Sequence, residues 1–562
     1  MQKKCYITTP IYYANGAPHI GTAYTSLIAD IYARIKRTSW YMVKFATGTD
    51  ENGQKMKQAA TNEWKEVMEY LDDIAQSHLK TRDALQISYT DFIRTTHPTH
   101  QKHVQEILEE AHSTWDIYQW EYTWMYCLWC EWFKKDTDLI DHEWEKVCPD
   151  HLKKPESIQE KNRFFALSKY QEKLETFYKK NPDYVLPSHR YNEIKAFVEN
   201  GLEDFSISRE GSDFGIPMPK IYKWGESMVY IWFDALYNYL TVCKYPESFT
   251  HDWKAISGKN DDMSFWSGDC EIVHTLGKDI SRFHAIYRPA MLMSSWNQAP
   301  ITEIINWFFT VDGQKMSKSL WNKIDPLETL EEVGRDALVY YLFSDIKIGN
   351  DGDFSTVRLI ETKENVLKKW RWNLVSRVCK LAKKYEISDT KMSLEEMNEM
   401  RNNVLKPIGK SNLSNTKTES KSIWLERLIF SQVWQKGTIE VYNDFLKDVN
   451  YQELMRSRFR CVQKANEFLS KEEPRILLKS EENKAKGILQ IKYMLWYIKQ
   501  VWLVSSPFFI DWFERLQHIM QIQHSLREER QTWVNKDNMN EDFVELLNLT
   551  DFKVEFGSWY IY

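Results

Sequence analysis

Hydrophobic positions in the first fifty residues change their spacing twice, which predicts a strand, a helix and a second strand. Cys5–Thr9 is a run of β-branched and aromatic residues that Pro10 ends, and Ile11–Gly21 is rich in turn formers. Thr22–Thr38 carries apolar residues at helical spacing, and Met42–Ala46 has the pattern of a second strand. A strand, a crossover helix and a strand form a parallel sheet, which binds ligands at the carboxyl ends of its strands.

The rest of the chain divides by the same pattern. Residues from about 114 to 225 are aromatic and acidic and interrupt the alternation, which indicates an insertion. Strand and helix patterns resume from Val229 to about Pro326. Beyond residue 360, long amphipathic helices flank one polar loop, Lys410–Lys421. The predicted fold class is therefore α/β, a Rossmann-like parallel sheet with an insertion, followed by an α-helical domain.

Composition excludes several classes of protein. The 562 residues are 43% hydrophobic and 27% charged, enough for sizeable cores, and no stretch has the pattern of a membrane span. The amino terminus has no apolar signal segment, and eight cysteines are too few for a disulfide scaffold, so we expect a reducing, cytoplasmic setting. A net charge of −6 gives no general basic footprint, so any nucleic-acid contact must come from local patches.

Three of the cysteines fall within 22 residues, in the pattern Cys127-x2-Cys130-x17-Cys148-x2-His151. Two pairs of soft ligands at this spacing suit tetrahedral Zn²⁺. Four ligands without an obvious fifth indicate a closed, structural site rather than an open catalytic one. The alternative is a chance cluster of buried cysteines.

Two loops carry residues suited to binding phosphate. His19 lies where the loop after the first strand enters the helix, and a helix N-terminus attracts anions. Lys315 and Lys318 lie in a polar loop after the apparent strand Ile304–Val311 and can close on a polyphosphate. Each feature alone is more simply interpreted as a loop histidine before an N-cap threonine, or as solvated surface lysines. The chain contains no P-loop sequence.

The two loops together resemble the paired signatures of the class I aminoacyl-tRNA synthetases, His-Ile-Gly-Thr and Lys-Met-Ser-Lys-Ser. Four further segments, in matching order and spacing, narrow the resemblance to the methionyl-tRNA synthetase family: Thr8–Gly16, Thr47–Lys55, Ile231–Leu236 and Gly277–His284. With the cysteine pattern, the resemblance covers roughly residues 5–380. The helical remainder resembles the family more weakly, and the last forty or so residues resemble no recognisable family.

The resemblance implies a site, residue by residue. The residues implied to bind ATP, with Asp279 on the ribose, are His19, Gly21, Asp279, Lys315 and Lys318. Those implied to be catalytic are His19, Thr22, Lys315 and Lys318. Those implied to bind methionine, with Asp50 on the α-ammonium, are Ile11, Tyr13, Asp50, Trp232, Ala235, Tyr239, Phe283 and His284. The chemistry agrees, because a flexible thioether suits an aromatic cavity and an ammonium taken from water needs a carboxylate.

Two positions depart from the family pattern. Thr22 stands where the family commonly has a second histidine, and Asn52 replaces another usual histidine. Thr22 can cap the helix and donate one neutral hydrogen bond, but it cannot carry charge. Threonine in place of histidine at position 22 therefore affects the size of the contribution that this residue makes, and not the kind of reaction.

The helical region carries a local basic segment in an acidic protein. Glu361–Lys384 has eight Lys or Arg residues against two Glu, so it can follow a phosphate backbone or form a solvated face. Asn373 and Arg377 are four residues apart on one helical face and match the family's anticodon-reading pair. The family's later Pro-Trp appears here as Pro474-Arg475, whose guanidinium can also stack on a base.

The function implied by the resemblance is methionine–tRNA ligation for translation initiation and elongation. Its partners are ATP, L-methionine and tRNA(Met), with no membrane, and its cofactors are one structural Zn²⁺ per chain and Mg²⁺ with ATP. We expect a monomer or a homodimer. The alternatives are a class I synthetase for another amino acid and a catalytically weak, synthetase-like tRNA-binding protein. The large aliphatic amino acids require an editing insertion, for which residues 114–225 leave little room.

The expected domain organisation follows the family order. The segments are the first half of the catalytic domain (1–113), the insertion with the zinc knuckle (114–225), the second half of the catalytic domain (226–325), a stem-contact linker region (326–360), an α-helical bundle that binds the anticodon (361–520) and a C-terminal tail of unknown role (521–562).

The counts of tryptophan and glycine are inverted. The chain has 24 Trp and 19 Gly, whereas a usual share of about 7% predicts roughly 39 Gly. The family pattern has glycine at Trp40, Trp64, Trp115, Trp120, Trp296, Trp307, Trp321 and Trp372, but tryptophan at Trp232. We therefore predict that many tryptophans are glycines in the native protein, through a genetic code in which UGA encodes glycine. The alternative is an aromatic-rich lineage.

Overall fold

The computed structural model divides the chain into two compact units. The sheet unit consists of Met1–Pro18, Tyr41–Lys80 and Ser88–Ile305. The helical unit consists of His19–Trp40, Thr81–Ile87 and Asn306–Tyr562. The residues that the structure describes are 2–127, 132–134, 138–142, 145–149, 152–222, 227–249, 263–297, 302–306, 309–311, 313–315, 323–365, 373–387, 395–396, 400, 442, 446–447 and 449–511.

Strands and helices of the described residues are numbered here in chain order. The strands are β1 (Lys4–Tyr13), β2 (Met42–Asp50), β3 (Asp91–Arg94), β4 (Ile117–Cys127), β5 (Trp132–Lys134), β6 (Ile140–His142), β7 (Glu145–Val147), β8 (Glu156–Phe165), β9 (Val185–Leu186), β10 (Phe205–Ser206), β11 (Ser208–Glu210), β12 (Ser227–Val229), β13 (Cys270–Gly277), β14 (Thr302–Asn306), β15 (Phe309–Val311), β16 (Gln314–Lys315) and β17 (Gly352–Phe354). The helices are α1 (Ile20–Thr38), α2 (Gln54–Asn62), α3 (Val67–Ala84), α4 (Pro98–Ser113), α5 (Gln171–Lys180), α6 (Ser188–Glu199), α7 (Ile231–Lys244), α8 (Arg288–Ser294), α9 (Pro326–Val333), α10 (Arg335–Asp345), α11 (Thr356–Thr362), α12 (Asn373–Lys384), α13 (Tyr451–Lys471), α14 (Pro474–Leu477) and α15 (Lys484–Ser505).

The central sheet has the strand order β3-β2-β1-β13-β14-β9. The ladder is parallel between β1 and each of its neighbours, between β2 and β3, and between β14 and β9. The chain proceeds from β1 outward to β2 and β3 on one side, whereas β13 is followed by β14 on the other side. The boundary between β1 and β13 is therefore the topological switch point of a doubly wound sheet, which confirms the predicted Rossmann-like α/β class.

The prediction that Pro10 ends the first strand is wrong. β1 continues to Tyr13, and its register with β2 shifts between Thr8 and Ile11. Proline has no N–H to donate, and it is tolerated here because the ladder is interrupted at that point. The longer strands end at Tyr13 and Asp50, two of the residues implied to bind methionine. The predicted single strand Ile304–Val311 is also wrong, because β14 and β15 belong to different sheets.

Close strand packing fixes the core of the sheet unit. A Cβ at Gly48 on β2 would collide with the carbonyl oxygen of Ile93 on β3, so only glycine fits there. Buried aliphatic and aromatic residues of β1, β13, α4, α7 and α8 form one continuous cluster. In the region predicted as an insertion, β4 and β8 form a long antiparallel pair within a four-stranded sheet of order β10-β8-β4-β5.

A buried arginine anchors the helical unit. Arg335, at the start of α10, donates from Nε to the carbonyl oxygen of Leu85 and from Nη1 to that of Phe508, each at 2.7 Å. Its Nη2 lies 3.4 Å from the carboxylate of Asp30 on α1. These bonds join α1, α10 and the residues after α15 into one body. Within the described part of the chain, no helix is long and apolar enough to cross a bilayer.

Candidate active site

Most residues implied to bind methionine lie around the switch point of the sheet. Ile11 and Tyr13 are at the carboxyl end of β1, Asp50 ends β2, and Asp279 follows β13. The crevice outside the carboxyl ends of the strands at a switch point is where doubly wound sheets bind their ligands. The strand order therefore brings these residues of the sheet unit to one edge.

An aromatic wall is formed by one face of α7 and the turn before α8. Trp232, Ala235 and Tyr239 are spaced along a single face of α7. Phe283–Tyr287 forms a π-helical turn, a feature that is frequent at functional sites. The rings of Trp232 and Phe283 stack with centroids 4.0 Å apart and planes 2° from parallel. The two segments thus present a flat apolar surface suited to a thioether.

His284 is held as a neutral ring in one tautomer. Its Nδ1 lies 3.0 Å from the carbonyl oxygen of Ile280, which only accepts, so Nδ1 carries the proton. Nε2 therefore accepts the hydroxyl proton of Tyr239 at 2.8 Å. Burial, reinforced by the positive charge of Arg288, lowers the pKa of His284 to about 3. The wall is consequently uncharged at neutral pH.

Asp50 is a buried carboxylate at the rim of this region. It is 6% exposed and pairs with Tyr13 in the β1–β2 ladder. Its Oδ1 accepts from the hydroxyl of Thr95 at 3.4 Å. The adjacent Glu51 is occupied differently, since its Oε1 accepts from Nε of Arg94 at 2.7 Å. The geometry thus separates a structural carboxylate, Glu51, from one placed beside the implied pocket.

Asn52 connects the Asp50 loop to the aromatic wall, a role that the sequence alone did not indicate. Its Nδ2 donates to Oδ2 of Asp234 at 2.9 Å and lies 3.4 Å from the carbonyl oxygen of Thr95. Asn52 and Asp234 are both buried, and Asp234 lies on α7 two residues beyond Trp232. The amide is a neutral donor where the family usually has histidine. The signal in the sequence that could have identified Asp234 is its place in the motif Trp232-Phe233-Asp234.

Asp279 lies in a short 3₁₀ turn directly after β13. A Cβ at Gly277 would approach Oδ1 of Asp279 to 2.5 Å, so the glycine gives the carboxylate room to fold back over the strand end. The end of β13 and the absence of a side chain at Gly277 therefore place Asp279 at the edge of the sheet.

His19 is the N-cap of α1, so the expectation of an N-cap threonine is wrong. Nδ1 of His19 accepts from the N–H of Gly21 at 3.1 Å, which leaves the proton of the neutral ring on Nε2. Thr22 is the third helical residue; its hydroxyl accepts from the N–H of His19 and donates to the carbonyl oxygen of His19. Thr22 thus completes a capping box and helps to fix the backbone of His19.

The loop that carries Lys315 and Lys318 is described at both of its ends. Lys315 pairs with Thr310 in the β15–β16 hairpin, and the side chain of Lys315 and all of Lys318 lie outside the described residues. Oδ1 of Asp353 accepts from the N–H of Gly313 and from the hydroxyl of Thr310, each at 2.8 Å. Sequence reasoning missed this anchor.

After the loop, the chain returns to the beginning of α1 within the helical unit. The N–H of Ile20 donates to the carbonyl oxygen of Ile324 at 3.1 Å. His19, at the N-cap, therefore lies close to Ile324, which follows Lys318 by six residues.

Two other predicted sites are described in part. Cys127 ends β4 and Cys148 follows β7; both are buried thiols, whereas Cys130 and His151 lie outside the described residues. Asn373 and Arg377 are both exposed on α12, whose opposite face is buried through Leu374, Val375, Val378, Cys379 and Ala382. Arg475 on α14 is also exposed.

Comparison with known proteins gives one consistent family. Residues 5–379 match the family profile of the tRNA synthetases class I (M). The methionine–tRNA ligase of Thermotoga maritima is 41% identical over 384 residues, 68% of this chain and 58% of that protein. That of a Nostoc species is 40% identical over 409 residues, 73% of this chain and 74% of that protein. The alignments thus span about three fifths to three quarters of the length of these two relatives.

A solved structure extends the similarity over almost the whole chain. Mycobacterium tuberculosis methionyl-tRNA synthetase in complex with methionyl-adenylate has a TM-score of 0.79 at 27% identity, and the match covers 95% of this chain and 96% of that one. The profile, the relatives and the parallel sheet with its switch-point residues all agree with the resemblance seen in the sequence. The chain belongs to the methionine group of the class I tRNA synthetases.

Proposed function

We propose that this chain is a methionine–tRNA ligase that activates methionine with ATP and transfers it to the 3′ end of tRNA(Met), for translation initiation and elongation in the cytoplasm. The observation that carries the proposal is the uncharged aromatic wall at the switch point, on the same sheet unit as the buried carboxylate of Asp50. An apolar surface and a carboxylate are what an amino acid with a thioether side chain requires.

Methionine binding follows from the chemistry of the wall. The thioether contacts the stacked rings of Trp232 and Phe283, while Ala235 keeps the space between Trp232 and Tyr239 open. Tyr239 and His284 satisfy each other, so neither polar group needs a partner from the substrate. Asp50 pairs with the α-ammonium, and Ile11 and Tyr13 close the strand side. A longer charged side chain would leave its charge against an apolar surface.

Activation needs positioning and charge stabilisation and no covalent enzyme intermediate. The methionine carboxylate attacks the α-phosphate of ATP in line, and pyrophosphate leaves. His19 donates from Nε2 to a phosphate oxygen at the N-terminus of α1, where the helix dipole favours an anion and Gly21 gives the phosphate close access to the backbone. Lys315 and Lys318 neutralise the charge that develops on the leaving pyrophosphate. Asp279 binds the ribose, Thr22 supports His19, and Mg²⁺ accompanies the triphosphate.

A structural zinc ion fits the residues of the insertion. Cys127, at the end of β4, and Cys148, directly after β7, are buried thiols, and sulfur is a ligand that suits zinc. Cys130 and His151 complete a tetrahedral set at the usual spacing. No cluster of three ligands occurs within the described residues, which exclude two of these four. Zinc would supply a cross-link that holds the short strands β5–β7 together.

tRNA binding is proposed for the exposed face of α12. The helix buries its apolar side and exposes Asn373 and Arg377, which lie one turn apart and can contact anticodon bases. Arg475 on α14 presents a planar guanidinium that can stack on a base.

The decisive experiment is amino-acid-dependent ATP–pyrophosphate exchange with all twenty amino acids. Methionine alone should support exchange, and Asp50→Asn should weaken methionine binding because a buried ammonium loses its counter-charge. Exchange with another amino acid would assign a different class I synthetase. Tight binding of tRNA without any exchange would assign the alternative, a catalytically weak tRNA-binding protein.

A further inference from the structure

Arg288 is a fully buried cation directly behind the aromatic wall. It is the first residue of α8, four residues after His284, and only 1% of it is exposed. Nη2 donates to Nε2 of His274 at 2.6 Å. Within the part of the chain that the structure describes, Nε and Nη1 have no hydrogen-bond partner. A buried guanidinium is costly, so this one needs a function that offsets its desolvation.

The guanidinium and the His274 ring both lie close to the ring of Tyr239. The guanidinium carbon lies 4.5 Å from the Tyr239 centroid, and the His274 ring centroid lies 4.6 Å from it. A cation over an aromatic face is attracted to the negative face of the ring, and the attraction strengthens when the cation is desolvated. His274 accepts from Arg288 at Nε2, so its Nδ1 donates to the hydroxyl oxygen of Thr8 on β1. Arg288 thereby ties the ring of Tyr239 to the central strands.

We propose that Arg288 is a positioning residue for methionine recognition, which holds Tyr239 in the orientation that donates to His284. The inference rests on the proposed function, since it specifies what keeps the methionine wall in place. The positive charge of Arg288 has a second effect. Together with burial, it lowers the pKa values of His274 and His284, so both rings stay neutral. A protonated His284 could not accept from Tyr239.

The interaction of Arg288 with Glu303 is not a conventional ion pair. Glu303 on β14 is buried and accepts from the hydroxyl of Tyr184 at 3.0 Å, and its pKa is raised by burial to about 8 despite the attraction of Arg288. Glu303 is therefore mostly protonated at neutral pH. The aromatic ring of Tyr239 and the imidazole of His274 are then the principal groups that stabilise Arg288, which makes their positions depend on it.

The test compares Arg288→Met, which keeps an unbranched side chain but removes the charge, with Arg288→Lys, which keeps the charge. We expect Arg288→Met to raise the KM for methionine about 10- to 30-fold, with kcat and the KM for ATP close to wild type. Arg288→Lys should recover part of the loss. The matched control is Arg458→Met, because Arg458 is also fully buried and lies 4.4 Å from the ring centroid of Phe508.

Two results would overturn the proposal: an unchanged KM for methionine in Arg288→Met, or an equal change in Arg458→Met. If neither Arg288 variant folds well enough to assay, ¹⁵N NMR of the His284 ring in the better-folded one decides, since loss of the single Nδ1–H tautomer supports the proposal and its retention contradicts it. Absence of methionine-dependent exchange in the wild type would reject the proposed function instead, and the tautomer experiment would still test Arg288.

A second, independent observation concerns four helix ends. Each of α1, α2, α4 and α8 is followed, after one capping residue, by a tryptophan with positive φ: Trp40 (64°), Trp64 (57°), Trp115 (60°) and Trp296 (56°). Each tryptophan N–H bonds back to the carbonyl oxygen three residues earlier, at 3.1 to 3.4 Å. The next residue completes the motif at two of the ends, with Lys65 bonding to Ala60 and Asn297 to Leu292.

This is the Schellman ending, in which the left-handed position is usually glycine. The left-handed conformation strains an ordinary L-residue, because its Cβ comes too close to the following carbonyl oxygen. Packing does not compensate, because Trp64, Trp115 and Trp296 are 95%, 81% and 90% exposed. Four of the nine positive-φ residues other than glycine in the described part of the chain are nevertheless tryptophan, the bulkiest residue.

We infer that these four residues are glycine in the native chain, because their codons are UGA and the cell of origin reads UGA as glycine. Trp232 and Trp266 behave differently. Trp232 stacks on Phe283, and Trp266 is 4% exposed and lies against Arg288 and Tyr6. These two have packed environments that require an indole, so they should be encoded by UGG.

Two measurements test the inference. The codons should be UGA at Trp40, Trp64, Trp115 and Trp296 and UGG at Trp232 and Trp266, and peptide masses of protein from the native cells should show glycine at the four helix ends. UGG codons or tryptophan masses at those ends would overturn it. In recombinant protein, Trp296→Gly should unfold at a higher temperature than Trp296→Ala, since alanine retains the left-handed strain.

Discussion

The hydroxyl of Tyr239 donates to Nε2 of His284 across 2.8 Å, and both residues are almost completely buried. Because His284 donates from Nδ1 to the carbonyl oxygen of Ile280, the direction of the Tyr239 bond is fixed. The bond joins α7 to the turn before α8, so the relative position of Trp232 and Phe283 depends on it.

Tyr239→Phe should therefore weaken methionine binding. A buried acceptor left unsatisfied costs about 1–3 kcal/mol, which corresponds to roughly 5- to 150-fold in the KM for methionine. The KM for ATP should not change. The matched control is Tyr237→Phe on the same helix, which removes a buried hydroxyl that donates to the carbonyl oxygen of Met291 at 3.0 Å. Equal effects of the two variants on the methionine KM would contradict the assignment.

Lys318→Ala should slow methionyl-adenylate formation by about 10²- to 10³-fold, because a charge contact made mainly in the transition state contributes roughly 3–4 kcal/mol. The affinity for methionine, measured by calorimetry without ATP, should stay the same. Lys347→Ala, which removes an exposed lysine at another place in the helical unit, serves as the control. A wild-type rate of pyrophosphate exchange in Lys318→Ala would exclude the proposed role.

Acid should destabilise the sheet unit through two buried histidines. His100 and His103 donate from Nδ1 to Oγ1 of Thr241, at 3.0 and 2.8 Å, because that hydroxyl gives its proton to the carbonyl oxygen of Tyr237. Burial lowers the pKa of each to about 3. The unfolded chain takes up protons near pH 6.5, so stability is full above that pH and is lost as the pH falls towards 3.

At pH 4 the loss in the free energy of unfolding is on the order of 2–3 kcal/mol per histidine. His103→Asn keeps a neutral donor and removes the titration, so its free energy of unfolding should fall less between pH 7 and pH 4 than that of the wild type. Denaturant titrations at both pH values measure the difference. His189→Asn, at an exposed position, should lose as much free energy of unfolding between the two pH values as the wild type. An equally large loss in His103→Asn would contradict the explanation.

The sequence predicted the family, the α/β class and the residues around the switch point because these depend on local motifs in a fixed order. It did not predict that β1 passes through Pro10, since the shift in register that tolerates proline depends on β2, a partner distant from the local pattern. The cap of α1 was misassigned for a similar reason, because a histidine side chain replaces the usual hydroxyl as acceptor.

Contacts between distant segments escaped sequence reasoning altogether. Asn52 with Asp234, and Arg288 with Tyr239, are separated by many residues and carry no motif of their own. Asp353 supports the lysine loop from a strand that follows it by 40 residues. Such residues become recognisable only when the fold has placed them beside a motif.

Zinc content tests the proposed ligands of the insertion. Protein purified without chelator should contain about one equivalent of zinc, and Cys148→Ser should lose it and unfold the insertion locally, because metal binding and folding are coupled. Limited proteolysis between β4 and β8 measures the local unfolding. Cys461→Ser, at a buried cysteine of the helical unit, should keep the metal. A metal-free wild type with full activity would exclude the site.

Arg377→Ala should impair aminoacylation of tRNA(Met) and leave ATP–pyrophosphate exchange intact, because exchange requires no tRNA. Arg377 is exposed on α12 and its removal disturbs none of the buried residues of that helix, so the folded structure should persist. Loss of a base contact should raise the KM for tRNA by about 5- to 150-fold, as expected for 1–3 kcal/mol. Lys471→Ala, at an exposed position on α13, is the control for the removal of one positive charge. A parallel loss of exchange and aminoacylation in Arg377→Ala would show that the side chain supports the fold and does not read the tRNA.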